Sequence, residues 1–273
     1  PNYSLLPTKP FFTVYSGHGC NWGKCRFCNS VYHSKPQYYS RPAVEIAHDF
    51  EQISKLNSGI KDVMLSSDSF SQENITALAS SLKQRRSTVP YNIMLRGDKW
   101  VSEKLGELLS ESGCTDVFIG AESLNDGVLG ILNKGVNTEN IVNAVINLSK
   151  NVKVILGLLL FIPGATEKQL DDQLQAIEKV LPMVDAIEPE ILSVVQGSAF
   201  AYNPEKYGIQ LWATERTIND SWCFGLSPDI PWTFKNGKDA EIWFNHYEKL
   251  KKLIKDLVEP HYWNAIDYVR HRF

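Results

Sequence analysis

The chain has no long apolar run, little net charge, few cysteines and no internal repeat. Its longest apolar stretch, VILGLLLFI from Val154 to Ile162, is about half of the roughly 20 residues a membrane helix needs. It suits a strand buried on both faces. The N-terminal PNYSLLPTKPFF lacks the basic-then-apolar order of a secretory signal. A formal net charge of −3 gives no reason to expect a nucleic-acid or anionic-membrane partner. The terminal YVRHRF is the one basic hint, and it reads as a solvated tail. Five cysteines, an odd number unevenly spread, do not make a secreted disulfide framework, so the expected location is a reducing cytoplasm. The abrupt opening at Pro1 suggests a piece of a longer chain.

What is present is an alternation of strand-like and helix-like segments. FFTVYSG (11–17), DVMLSSDSF (62–70), YNIMLRGD (91–98), TDVFIGAES (115–123), KVILGLLLFIPG (153–164) and AIEPEILSVVQGSAF (186–200) read as strands. The stretches between them repeat apolar residues at helical spacing, as at Ile46, Phe50 and Ile53 or Ile75, Leu78 and Leu82. TEKQ from Thr166 to Gln169 has the form of a capping box. About six β-α units result, the pattern of a parallel sheet covered by helices. Polar residues collect at the ends of successive strands. An α/β partial barrel of six units over residues 1–200 is therefore expected rather than an open doubly wound sheet. Residues 201–273 change character, rich in Trp, Pro and Gly, then helical with Trp243, Tyr247, Leu250, Ile254 and Leu257 on one stripe before Pro260. They are expected to form a C-terminal extension packed on the barrel.

The densest chemistry is GHGCNWGKCRFCN (17–29), where Cys20, Cys25 and Cys28 follow C-x4-C-x2-C directly after the first strand. Gly17, Gly19 and Gly23 are expected to supply the unusual backbone angles of a tight wrap. Three uses compete. A structural zinc needs four ligands, with His18 completing the set, but no second ligand pair appears. A redox dithiol of Cys25 and Cys28 leaves Cys20 surplus. An iron–sulfur cluster held by three cysteines leaves one iron open to a substrate or cosubstrate.

Taken together, GCNWGKCRFCN, GAESLNDGVLGILNKGVNTENI, LFIPGATEKQLDD and GSAFAYNPEKYGI resemble the radical S-adenosylmethionine (SAM) superfamily over residues 8–210. The likeness is greatest to the radical SAM domain of cobalamin-linked members that mature ribosomally made peptides. The spacing has one residue more than the commonest C-x3-C-x2-C of that superfamily. The resemblance implies that Cys20, Cys25 and Cys28 bind three irons of a [4Fe-4S] cluster while SAM chelates the fourth. It also implies reductive SAM cleavage to a 5′-deoxyadenosyl radical that abstracts hydrogen from a peptide or small natural product. A cobalamin-dependent C-methyltransferase is the implied activity, its cobalamin domain lying outside this chain, with a flavodoxin- or ferredoxin-like electron donor. The alternatives are a radical SAM epimerase or cross-linking enzyme without cobalamin, or a zinc-stabilised non-enzymatic binding module.

The implied SAM contacts are Phe27 beside the adenine, the SSD stretch Ser66, Ser67 and Asp68 toward the methionyl ammonium, and Arg96, Glu122, Val195 and Gln196. The plain alternatives are a core aromatic at Phe27, a helix N-cap at Asp68 or Ser69, and an exposed arginine at Arg96. Gly157–Leu160 and Val194–Gln196 line an adenine pocket or simply the core. His18, Cys114 and Cys223 read as packing residues. Tyr202, Trp212 and Trp222 face substrate or cover a core. No side chain is singled out as catalytic.

Overall fold

Short runs of β-branched and aromatic residues, each followed by an amphipathic stretch, fold as strand–helix units. The computed structural model describes residues 12–29, 38–56, 62–212 and 230–269. One sheet contains β1 (Phe12–Tyr15), β2 (Val63–Ser66), β3 (Tyr91–Arg96), β4 (Cys114–Glu122), β5 (Lys153–Leu160) and β6 (Ala186–Ile191). The strands lie in chain order and every neighbouring pair is parallel. β1 and β6 do not pair, so the expected partial barrel forms and stays open.

Helices α1 (Ala43–Ser54), α2 (Gln72–Gln84), α3 (Glu103–Glu111), α4 (Asp126–Leu132), α5 (Thr138–Leu148) and α6 (Glu167–Val180) carry the chain between strands. Ser71, Ser102, Asn125 and Asn137 cap α2 to α5 by accepting first-turn amides. Thr166 and Gln169 make the reciprocal capping box of α6. Along β4, Val117, Ile119 and Ala121 are fully buried toward the helices, whereas Asp116 and Phe118 line the concave side. The core therefore sits between sheet and helices.

Three features depart from expectation. β6 ends at Ile191 instead of Phe200. It tolerates Pro189 because it is an edge strand, where a missing amide breaks no second ladder. Val195 and Gln196 consequently fall in the loop and turn that follow. β5 ends at Leu160, and Phe161 takes φ +62°, a left-handed conformation rare for an aromatic residue. The Phe161 ring is held among Trp243, Phe244 and Tyr247.

Beyond residue 200 an antiparallel ribbon pairs Ile209–Leu211 with Trp232–Phe234, followed by α7 (Gly237–Ile254) and α8 (Pro260–Val269). α7 buries the stripe read from the sequence, with Ala240 and His246 added. Leu257 falls in a 3-10 turn. Pro260 opens α8, a helix the sequence reading lacked; proline suits a first position because the amide there has no partner to lose. Trp243 Nε1 donates to Ile162 O at 2.7 Å and Trp232 Nε1 to Leu192 O at 2.9 Å, tying the extension to the ends of β5 and β6. Trp222 and Cys223 lie outside the described residues.

Candidate active site at the barrel mouth

The cysteine loop leaves β1 through two glycines in the left-handed region, Gly19 (φ +78°) and Gly23 (φ +56°). Gly17 serves differently from expectation: it lies in a short strand paired with Ser40, and a Cβ there would sit 2.3 Å from Tyr39 O. Close approach, not an unusual angle, requires that glycine.

Two elements distant in sequence grip the loop. After β2, Asp68 Oδ2 accepts from Gly19 N at 2.7 Å. Ser69 Oγ accepts from Asn21 N and donates to Asn21 Oδ1, each at 3.1 Å. The C-terminus of α4 supplies the second grip, since its last carbonyls lack intrahelical partners. Arg26 N donates to Leu132 O at 2.9 Å, and Arg26 Nη1 donates to Ile131 O at 2.7 Å and Gly130 O at 3.1 Å. Trp22 Nε1 donates to Asn133 O at 2.8 Å, and Asn133 Nδ2 to Lys24 O at 2.7 Å. The indole packs against Gly135, where a Cβ would come within 2.3 Å of the ring.

Cys20, Cys25 and Cys28 are half-buried free thiols that line one pocket of about 260 Å³ together with Phe27, Ser67, Asp68, Arg96 and Glu122. Ser66 does not line it; its carbonyl accepts from both Ser16 N and Ser16 Oγ at 2.9 Å. The cap of α2 is Ser71, so the cap reading of Asp68 and Ser69 gives way to a loop-clamping one. Arg96 is not exposed: its Nη2 donates to Lys134 O at 2.9 Å, and its Nε is buried without a partner.

Lys134, absent from the sequence-based site, is the central charge. Its Nζ is 2.8 Å from Glu122 Oε1, with side chains 7% and 15% exposed, and 5.8 Å from the centre of the Phe27 ring. Glu122 takes φ +65° at a register shift in β4. Gly120 leaves room for the pair, since a Cβ there would stand 3.1 Å from Glu122 Oε1. Burial pushes the Cys25 thiol up to about 11, Cys28 and Cys20 adding to the rise while Lys134 and Arg96 oppose it. The signal that could have found Lys134 is the NKG break after α4, with Asn133 and Gly135 both at positive φ.

The pocket opens into a chamber of about 570 Å³ on the concave face, sharing Phe27, Cys28, Met94, Phe118 and Glu122 with it. Val195 and Leu159 line this chamber; Gln196 lines neither space. Gly157 is where the Phe118 ring lies, 2.2 Å from a would-be Cβ. Cys114 is buried at the opposite end of β4, and Tyr202 and Trp212 are exposed.

The family model described as the Radical SAM superfamily matches residues 14–177, more than half of the chain. The chain belongs to the radical SAM superfamily. It is a radical SAM enzyme, and the family implies a [4Fe-4S] cluster and SAM. An "Uncharacterized methyltransferase PH0819" of Pyrococcus horikoshii is 22% identical over 282 residues, covering 96% of this chain and 58% of the relative. Among solved structures, the radical SAM methyltransferase TsrM of Kitasatospora setae, with cobalamin and a [4Fe-4S] cluster bound, matches with a TM-score of 0.65. It has 15% identity over 76% of this chain and 43% of that one. The cobalamin-dependent radical enzyme OxsB, with aqua-cobalamin and SAM bound, matches with a TM-score of 0.64 and 12% identity, over 95% of this chain and 45% of that one. The chain thus spans about half the length of these proteins, and at such identities the structural likeness is one of fold.

The residues present fit the family's cluster. The donor set is three soft thiols with two cations beside them. His18, the fourth ligand of the zinc reading, is exposed and stacks on Tyr39 instead. Among the described residues no group of three His, Cys, Asp or Glu side chains is placed to hold a single metal ion.

Proposed function

We propose that this chain is the radical SAM part of a cobalamin-dependent C-methyltransferase acting on a peptide or a similar natural product. The observation carrying the reading is that Cys20, Cys25 and Cys28 line one pocket with Arg96 and Lys134, open to the concave chamber. Cys20, Cys25 and Cys28 would hold the [4Fe-4S] cluster there as thiolates, leaving one iron for SAM. The bound cluster and SAM supply the reductive bond cleavage and hydrogen abstraction; the protein supplies orientation and a dry pocket.

Asp68 and Ser69 keep the loop backbone in place by their bonds to Gly19 and Asn21. Ser67, on the pocket wall, faces the methionyl ammonium, and Ser66, bonded to Ser16, is given no contact. Arg96, with a buried unpaired Nε, pairs with the methionyl carboxylate. Glu122 reaches SAM while Lys134 holds its other oxygen. Phe27 and Val195 flank the adenine, and Gln196 is given no contact. Cobalamin binding is assigned outside these residues, which span less than half of the TsrM and OxsB chains. The same reading divides the chain near residue 200 into partial barrel and extension, places it in the cytoplasm, and assigns it a flavodoxin- or ferredoxin-like donor.

The test is anaerobic reconstitution with iron and sulfide. About four irons per chain and reductant-dependent release of 5′-deoxyadenosine from SAM are expected, both lost in Cys25→Ala. Zinc without iron in anaerobically purified protein overturns the reading. Product methylation that requires added cobalamin separates the methyltransferase from an epimerase or cross-linking enzyme.

A further inference from the structure

A polar side chain inside an apolar core is costly unless it is hydrogen-bonded. Ser123, Gln173 and His246 are each no more than 2% exposed. They come from separate parts of the chain, the residue after β4, the middle of α6 and the middle of α7, yet they form one relay. Asn125 N donates to Ser123 Oγ at 3.1 Å, and Ser123 Oγ donates in turn to Gln173 Oε1. Gln173 Nε2 lies 3.3 Å from His246 Nε2. An amide nitrogen only donates, so neutral His246 accepts at Nε2 and carries its proton on Nδ1. That Nδ1 is buried without a hydrogen-bond partner, a cost an apolar side chain at position 246 would avoid.

The near end of the relay abuts the thiol pocket. Glu122, next to Ser123, takes φ +65° where the register between β4 and β5 shifts. Such a backbone is unfavourable for a residue other than glycine, and it persists only where its surroundings hold it from more than one side. Lys134 holds the side chain of Glu122. Ser123 holds its backbone, since it cannot shift without breaking its bonds to Asn125 and Gln173. Lys134 stands just beyond the C-terminus of α4, and the residue capping the N-terminus of that helix is the same Asn125. Both partners of the ion pair therefore lean on Ser123, and Ser123 leans on α6 and α7.

We infer that Ser123, Gln173 and His246 are positioning residues through which the C-terminal extension sets the backbone turn that aims Glu122 into the thiol pocket. The inference rests on the reading that Glu122 reaches SAM, and it gives α7 a part in that contact.

SAM affinity of the reconstituted full chain tests it. Binding is followed by the change that SAM causes in the electron paramagnetic resonance spectrum of the reduced cluster, with iron content and thermal midpoint recorded on the same preparations. Gln173→Met and His246→Leu should each weaken SAM binding about tenfold, with iron at the wild-type level. His246→Gln, which keeps an acceptor for the Gln173 amide, should restore most of the affinity. Ile177→Val, on the same buried face of α6, should lower the thermal midpoint and leave SAM affinity unchanged. Because the relay acts through Glu122, Gln173→Met should add no further loss in a Glu122→Gln background, whereas general damage to the fold would add its own. Should His246→Leu fail to fold, Gln173→Met alone and in that background decides. Wild-type affinity in the relay variants, iron lost in step with SAM binding, or a full further loss in the double variant overturns the inference. Glu122→Gln by itself separates the two failures. Weakened binding there beside intact relay variants defeats only this inference; unchanged binding there, or no spectral change in the wild type, defeats the underlying reading and the inference together.

Discussion

A lysine ammonium 2.8 Å from a carboxylate, with both side chains largely shielded from water, dominates the electrostatics around the thiols. Removing one member of such a pair leaves the other buried and uncompensated, which costs about 3–5 kcal/mol. Lys134→Met should therefore lower the unfolding free energy measured by urea titration by an amount in that range, and Lys134→Arg should recover part of it. Among the cysteines the environments differ as sharply. Cys114 is buried at the far end of β4 with its thiol pushed well up by burial, so Cys114→Ala should retain iron after reconstitution while Cys25→Ala falls to background. The three loop cysteines were legible in the sequence because their spacing is local. Lys134 was not, because the Asn133-Lys134-Gly135 break marks a turn while its meeting with Glu122 and Phe27 is fixed only by the fold. Asp68 was legible as a site residue, but its partner, the Gly19 amide, is fixed only by the fold.

Helix α4 acts as a platform, its free carbonyls and the Asn133 turn holding the cysteine loop from one side. The element depends on Gly135, at φ +73° and in contact with the Trp22 ring. Gly135→Ala should destabilise the protein by about 1–3 kcal/mol and weaken iron retention, measured by thermal unfolding and by iron content after desalting. Gly130, inside α4, meets nothing within 4 Å if a Cβ is added; Gly130→Ala should instead gain up to about 1 kcal/mol. Elements of this kind were read well where caps and periodicity are strong, as at Thr166–Gln169. They were read poorly where a backbone reversal ends a strand, as at Phe161, or where a proline begins a helix instead of ending one, as at Pro260.

Across the whole molecule, one apolar core runs from the sheet through α7 and into α8, so the extension and the barrel share stabilising contacts. Among the described residues no helix is long and apolar enough to cross a membrane. His246 sits in this shared core, 3.3 Å from Gln173 Nε2 of α6. Burial holds its imidazole down to about 4 from an ordinary 6.5, with Asp171 opposing that shift and Lys249 adding to it. The unfolded chain takes up a proton between these values that the folded chain refuses. Stability from this residue is therefore complete above pH 6.5 and lost as pH falls toward 4, by up to about 3 kcal/mol. Denaturant midpoints across that range should show the slope, and His246→Gln should flatten it.

Local rules were enough to determine the six strand–helix units, the capping box at Thr166–Gln169, the parallel α/β class and the gathering of three cysteines in one loop, because periodicity, capping and short spacings act over a few residues. Only the tertiary structure decided which side chains meet at the mouth. Strand register and the end of α4 bring Lys134, Glu122, Arg96 and the cysteine loop together from four segments. Those contacts join residues far apart in the chain, and no local pattern encodes them.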